Sequence, residues 1–210
     1  GSIYFGTSAT ARMILDDNSR ISLSNNDSGT SNTIFGKSAG ASLDAGSNYN
    51  VFIGENVSDA SMNDASYNTA VGYSSLSALT EGDSNVAVGA ETLENLTTGG
   101  HNTCIGKKVL NSAAGAESNN VAIGSSAMQN TNQDNTIKNI AIGVDALNNT
   151  NTRTCAENVF IGYASGNGNW AGTARYNVAV GMNTMQGALN GAENNVVIGH
   201  GAEISAVAGT

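Results

Sequence analysis

One short pattern, an Asn followed four residues later by a Gly with three apolar or small residues between, recurs ten times in this chain and leaves few folds open. The copies are Asn32–Gly36, Asn50–Gly54, Asn68–Gly72, Asn85–Gly89, Asn102–Gly106, Asn120–Gly124, Asn139–Gly143, Asn158–Gly162, Asn177–Gly181 and Asn195–Gly199. Successive copies are 17, 18 or 19 residues apart. Self-similarity at a fixed period marks a solenoid, in which each copy forms one coil and contacts only its neighbours. A helical coil needs about 33 residues for its two helices, so these coils are built from strands.

The residue before each Gly is always large and apolar: Phe35, Ile53, Val71, Val88, Ile105, Ile123, Ile142, Ile161, Val180 and Ile198. Two residues earlier stand Thr33, Val51, Thr69, Val86, Thr103, Val121, Ile140, Val159, Val178 and Val196. Spacing of two and β-branched composition predict one short strand per coil. The residue between them is also apolar and is Ala in half the copies, so neither strand face suits water. The expectation is that the β-branched pair fills the coil and the small residues face outward against a second copy of the chain. An apolar strip running the full length of a monomer would be a large exposed patch, so the sequence itself implies a homo-oligomer.

The motif residues have structural roles. Asn85, Asn102 and Asn120, like their equivalents, can stack into a side-chain ladder, since Asn also tolerates left-handed backbone and bonds to nearby main chain. Gly89, Gly106 and Gly124 supply a positive φ or room for a neighbouring backbone. Four residues after the Gly, Leu76, Leu93, Leu110, Met128, Leu147 and Met185 predict a second inward-facing element, a rule that Gly40, Ser58, Gly166 and Glu203 break. The remaining polar stretches of variable length are expected to be outer loops. Residues 1–30 differ from the repeats and form an N-terminal capping module, leaving 31–210 as the repeat domain. Within it SIYFG at 2–6 resembles the motif, and ARMILDDNSRISL predicts two short strands around a turn at residues 16–19. A further Asn would fall near position 213, which implies that the natural chain continues.

Composition narrows function. The net charge is −9, charged residues make up 12% and no Lys/Arg run occurs, so a nucleic-acid partner is not expected. No apolar run is long enough to cross a bilayer, so this segment is not expected to insert into a membrane. Cys104 and Cys155 occupy different places in the repeat and predict free thiols. His101 and His200 fall at exposed slots, and no His/Cys/Asp cluster has metal-ligand spacing. The Asp16–Asp17 pair predicts a turn and not a catalytic dyad. No phosphate-binding glycine loop or calcium nonapeptide occurs. No catalytic residue, cofactor or metal is therefore expected. An ice-binding solenoid would need a regular rank of Thr, whereas Thr33, Thr69 and Thr103 alternate with Val at positions expected to be core.

The segments NVAVG, NVAIG, NIAIG and NTAVGYSSLSAL resemble the head repeats of trimeric autotransporter adhesins and, equally, the repeats of bacteriophage tail fibres that end in an endosialidase-type intramolecular chaperone. The resemblance covers about residues 2–204. It implies an all-β, left-handed parallel β-roll (β-solenoid) of about ten 17–19-residue coils, assembled as a homotrimer. The period is longer than the unit common in adhesin heads, and in such fibres a stretch resembling FGTSATARMILDDNSRISL commonly precedes the repeats. That flanking segment, with no coiled-coil neck in the sequence, favours a phage tail fibre that attaches the virion to its host. The alternative is the head of a bacterial surface adhesin. Either way a rod of roughly 45–50 Å would present identical loops to a cell-surface glycan or protein, gaining avidity from three chains. Candidate contacts are Trp170, Tyr163 and Tyr176, since aromatic faces stack on sugars. The competing expectation is that Tyr49, Tyr67, Tyr73, Tyr163 and Tyr176 stack on one another along the roll.

Overall fold

The computed structural model describes three short N-terminal strands and residues 31–131, 136–150, 154–168, 170, 172–187 and 191–203. Every Asn-x-x-x-Gly copy contributes one three-residue strand: β4 (Thr33–Phe35), β5 (Val51–Ile53), β6 (Thr69–Val71), β7 (Val86–Val88), β8 (Thr103–Ile105), β9 (Val121–Ile123), β10 (Ile140–Ile142), β12 (Val159–Ile161), β14 (Val178–Val180) and β15 (Val196–Ile198). The ten strands form one parallel sheet in sequence order. Register is strict, with middle residue opposite middle residue, as in Ala70 with Ala87 and Ala87 with Cys104. The chain is thus an all-β parallel solenoid, with nine turns joining ten strands. From Ser118 onward a second, shorter parallel ladder appears through bridges, in which β11 (Cys155–Ala156) pairs with β13 (Ala174–Arg175).

A buried amide ladder runs through the coils. The side-chain Oδ1 of each motif Asn accepts the backbone N–H of the next motif Asn, at 2.8 Å from Asn50 to Asn32 and 3.0 Å from Asn139 to Asn120. From Asn85 onward each Nδ2 also donates to the preceding Asn Oδ1, as Asn102 does to Asn85 at 3.0 Å. The same Nδ2 donates to a backbone carbonyl some 15 residues ahead, such as Glu117 for Asn102 at 2.8 Å. Asn50 to Asn177 are buried throughout. Asn fits because one flat amide supplies an acceptor and two donors at a fully buried site.

The motif glycines are required twice over. Gly89 and Gly106 have φ of 136° and 138°, outside the range of ordinary side chains. A Cβ on Gly89 would also lie 2.0 Å from the carbonyl oxygen of Gly106 in the next coil.

The two strand faces are the reverse of the sequence expectation. The middle residues, from Phe52 through Ala70, Ala87, Cys104, Ala122, Ala141 and Phe160 to Ala179, are fully buried inside the coil. The β-branched residues on either side point outward, half-buried or exposed, and Thr33, Thr69 and Thr103 are among them. Volume explains this. The six large residues four positions after the Gly are fully buried in the same narrow interior, so the strand opposite has room only for Ala or Cys. Where the middle residue is large, the facing residue has shrunk. Phe52 goes with Ser58, Phe160 with Gly166 and Ile34 with Gly40. A Cβ on Gly166 would sit 2.4 Å from Cδ1 of Phe160, and one on Gly40 would sit 2.9 Å from Cδ1 of Ile34. Three of the four exceptions to the Leu rule, Gly40, Ser58 and Gly166, are thus compensated coils, and the fourth, Glu203, is exposed in the last coil.

The inward Leu and Met residues adopt left-handed backbone, with φ between 46° and 54°. They form tight corners whose side chains turn into the core. A third inward rank follows, in stretches whose sequence predicts outer loops. It contains Leu43, Met62, Leu79, Leu96, Ala113 and Trp170.

At the N-terminus, β1 (Ile3–Phe5), β2 (Met13–Leu15) and β3 (Ile21–Leu23) form a separate antiparallel sheet. The expected strand pair is present as β2 and β3. The motif-like segment at 2–6 joins them as β1 and not the ten-stranded sheet. Its Ser2 and the turn at 16–19 lie outside the described residues.

Two tests follow from this core. Phe160→Ala should cost about 3–5 kcal/mol, and Gly166→Leu about 1–3 kcal/mol or more through overpacking. In the double variant the volumes match again. Urea unfolding should show it recovering at least about 2 kcal/mol relative to the sum of the singles, whereas additivity would refute the pairing. Asn120→Ala should cost about 3–5 kcal/mol, because it orphans the Asn139 N–H and the Thr136 carbonyl. Asn195→Ala at the half-exposed end should cost about 1 kcal/mol.

Candidate functional site

Two ranks of outward side chains cover one side of the solenoid from β4 to β15. The first is Thr33, Val51, Thr69 and their equivalents, and the second is Phe35, Ile53, Val71 and theirs. None of these twenty positions carries a charge or an amide. Parallel strands stack about 4.8 Å apart, so the strip is about 43 Å long. It is half-buried over most of its length and most exposed at the ends, where Phe35 is 67% and Val196 72% exposed. Beyond Gly143 the strip widens, since Val144, Tyr163 and Met182 follow successive motif glycines and are exposed as well.

Polar ranks border the strip. On one side, Lys37 reaches Glu55 in the next coil at 2.8 Å. On the other, the residues preceding each motif Asn form a rank in left-handed backbone that includes Tyr49, Tyr67, His101, Lys138, Glu157 and Tyr176. Here Tyr49 and Tyr67 stack with ring centroids 5.1 Å apart. Lys138 pairs with Glu157 at 3.2 Å. The Tyr176 hydroxyl, and then Lys138, hold the Glu157 carboxyl below its ordinary range, while Glu157 raises the Tyr176 phenol.

The aromatic candidates separate. Tyr163 and Tyr176 are about half exposed and lie in different ranks. Among the described residues the stacking expected of the tyrosines is seen for Tyr49 and Tyr67. Trp170 is not available to a receptor, because it is 1% exposed. Its ring lies 5.9 Å from that of Phe160, in the coil where Gly166 leaves space. The loop SGNGNWAGTARY reads as irregular because it delivers a large side chain to the third inward rank.

The chemistry-bearing side chains do not converge. Cys104 and Cys155 are buried free thiols, and burial pushes both far up from the ordinary thiol range. His101 and His200 are exposed. Among the described residues no group of His, Cys, Asp or Glu could hold a metal ion, and no helix is long and apolar enough to cross a membrane. The Asn and Gly motif residues, including Asn85, Gly89, Asn102, Gly106, Asn120 and Gly124, are architectural and sit behind the strip. The outward strip is therefore the surface with a demand to be met. Its residues were visible in the sequence but had been placed in the core.

No protein-family profile, curated protein or solved structure significantly matches this chain.

The single Trp gives a direct check of the core assignment. Its emission should be blue-shifted and resistant to iodide quenching, moving to the red on unfolding. A quenchable, red-shifted emission in the native protein would return Trp170 to the surface.

Proposed function

We propose that this chain is a shaft segment of a homotrimeric attachment fibre of the phage tail-fibre kind, carried on the virion and meeting a cell-surface glycan or protein. The observation that supports it most is the uncharged outward strand face. A row of twenty apolar or Thr side chains about 43 Å long is a poor solvent surface and a good interface core, since the centres of interfaces are depleted in charge. Other copies of the chain meet this need with no new residues. Identical coils at the same level then place like against like, Val and Ile against Val and Ile.

The mechanism is mechanical. Each coil is tied to the next by backbone bonds and by the amide ladder, so the segment resists bending and shear. Three copies sharing the strand face leave their bordering ranks and loops outward in threefold repetition, so that weak contacts add. Tyr163 and Tyr176 remain candidates for such contacts. The separate antiparallel β1–β3 sheet ahead of the roll supports a fibre over an adhesin head, because fibres of this kind carry a similar segment before their repeats.

Light scattering after size exclusion tests the assembly. A trimer of the 21.2 kDa chain has a mass of about 63.6 kDa. Ile105→Lys sits on the outward rank, 40% exposed in the single chain. It should leave the coil folded yet drive the mass toward 21.2 kDa by bringing three like charges together. A monomeric wild-type chain would overturn the proposal, as would a trimer indifferent to Ile105→Lys.

A further inference from the structure

The second ladder carries a feature that the strand face does not explain. Ile137, Ala156 and Arg175 stack in successive coils through parallel bridges. The middle residue is the small one. Ile137 and Arg175 therefore stand about 9–10 Å apart as the two walls of a depression floored by Ala156. Glu157 and Thr154 complete an open groove of about 300 Å³, the lower end of the range that holds small ligands. In sequence the buried residues Asn139, Asn158 and Asn177 separate this ladder from the strands β10, β12 and β14.

The charges in the groove are unequal. Glu157 is already balanced by Lys138 at 3.2 Å and is hydrogen-bonded by Tyr176. Arg175 is exposed and makes no salt bridge among the described residues, although its charge helps to hold the Glu157 carboxyl down. The group without a direct partner among the described residues is thus a guanidinium, on a chain whose net charge is −9. A guanidinium takes a carboxylate through two parallel hydrogen bonds. Around it stand a hydroxyl on Thr154, the free lone pairs of Glu157 and the apolar surface of Ile137 and Ala156. Tyr176, half exposed, stands beside Glu157.

We propose that this groove binds a carboxylate-bearing pyranose, an acidic sugar unit of a surface glycan. Arg175 holds the carboxylate, Glu157 and Thr154 hold ring hydroxyls, and Ile137 and Ala156 pack under the C–H face of the ring. A neutral sugar lacks the group that Arg175 needs, and a free amino acid would place its ammonium against a carboxylate that Lys138 already neutralises. The proposal rests on the attachment reading only in taking the ligand to be part of a surface glycan.

The test is calorimetric titration of the intact assembled protein with methyl β-glucuronide and with methyl β-glucoside, its uncharged match. Saturable binding of the glucuronide is expected, at least about tenfold tighter than that of the glucoside. Arg175→Ala should weaken the glucuronide by a similar factor and leave the glucoside unchanged. Arg175 is a surface residue, so the variant should keep its unfolding temperature, and Thr154→Val gives a second, milder loss. Absence of glucuronide binding, equal binding of the two sugars, or full binding by Arg175→Ala would overturn the proposal. The mass of the same sample reports assembly separately, so a failed groove and a failed trimer are distinguishable.

Discussion

The buried Asn ladder is the constraint on which the rest of the solenoid depends. Each coil is too thin to form a core alone, so it must be locked to its neighbours at a fixed height. A buried amide with both lone pairs and both protons engaged does that. It accepts from the main chain of the following coil and donates to a carbonyl within its own coil circuit, fixing the spacing and the position of the strand that follows. The strict strand register follows, and so does the stack of motif glycines. Gly89 sits so close to the Gly106 carbonyl that no side chain could stand between them. The stack tolerates steps of 17 to 19 residues because the extra residues leave from the loops and not from the ladder.

Thinness also decides which strand face is inside. The interior holds one large side chain per coil at each of two walls, and the strand contributes the smaller partner. Leu76 faces Ala70 and Leu110 faces Cys104, whereas Phe160 faces Gly166. The larger β-branched side chains are left outside, where they form the uncharged strip. The apparent defect of the fold, apolar residues turned to solvent, is thus a consequence of how small the coil is. It is also the strongest physical reason for the chain to associate with itself.

The period, the strand in each repeat, the ladder and the role of the glycines were legible in the sequence because each is a local rule repeated ten times. The orientation of the strand was not. Alternation tells inside from outside only when one face is polar, and here Val86, Ala87 and Val88 are all apolar. Volume carried the missing information. Phe52 with Ser58 and Phe160 with Gly166 are compensating pairs six residues apart, and together they place the middle residue opposite the corner residue. Trp170 was misplaced for a related reason. Surrounded by Gly and Asn it has the composition of an exposed loop, yet it reaches the third inward rank that Leu79 and Leu96 occupy in other coils. The groove at Ala156 was not legible, because it depends on a bridge between residues that no motif marks.

The claim that the outward strand face is covered by other copies is tested most directly by methyl NMR with a soluble paramagnetic probe. The account predicts that the Ala70, Ala87 and Ala122 methyls are protected in any state of assembly. It predicts equal protection of Val88, Ile105 and Ile123 in the intact particle, lost at Val88 and Ile123 when the chains are separated by Ile105→Lys. Strong relaxation of the Val88 and Ile123 methyls in the intact particle would contradict it, leaving a solitary solenoid with a bare apolar face.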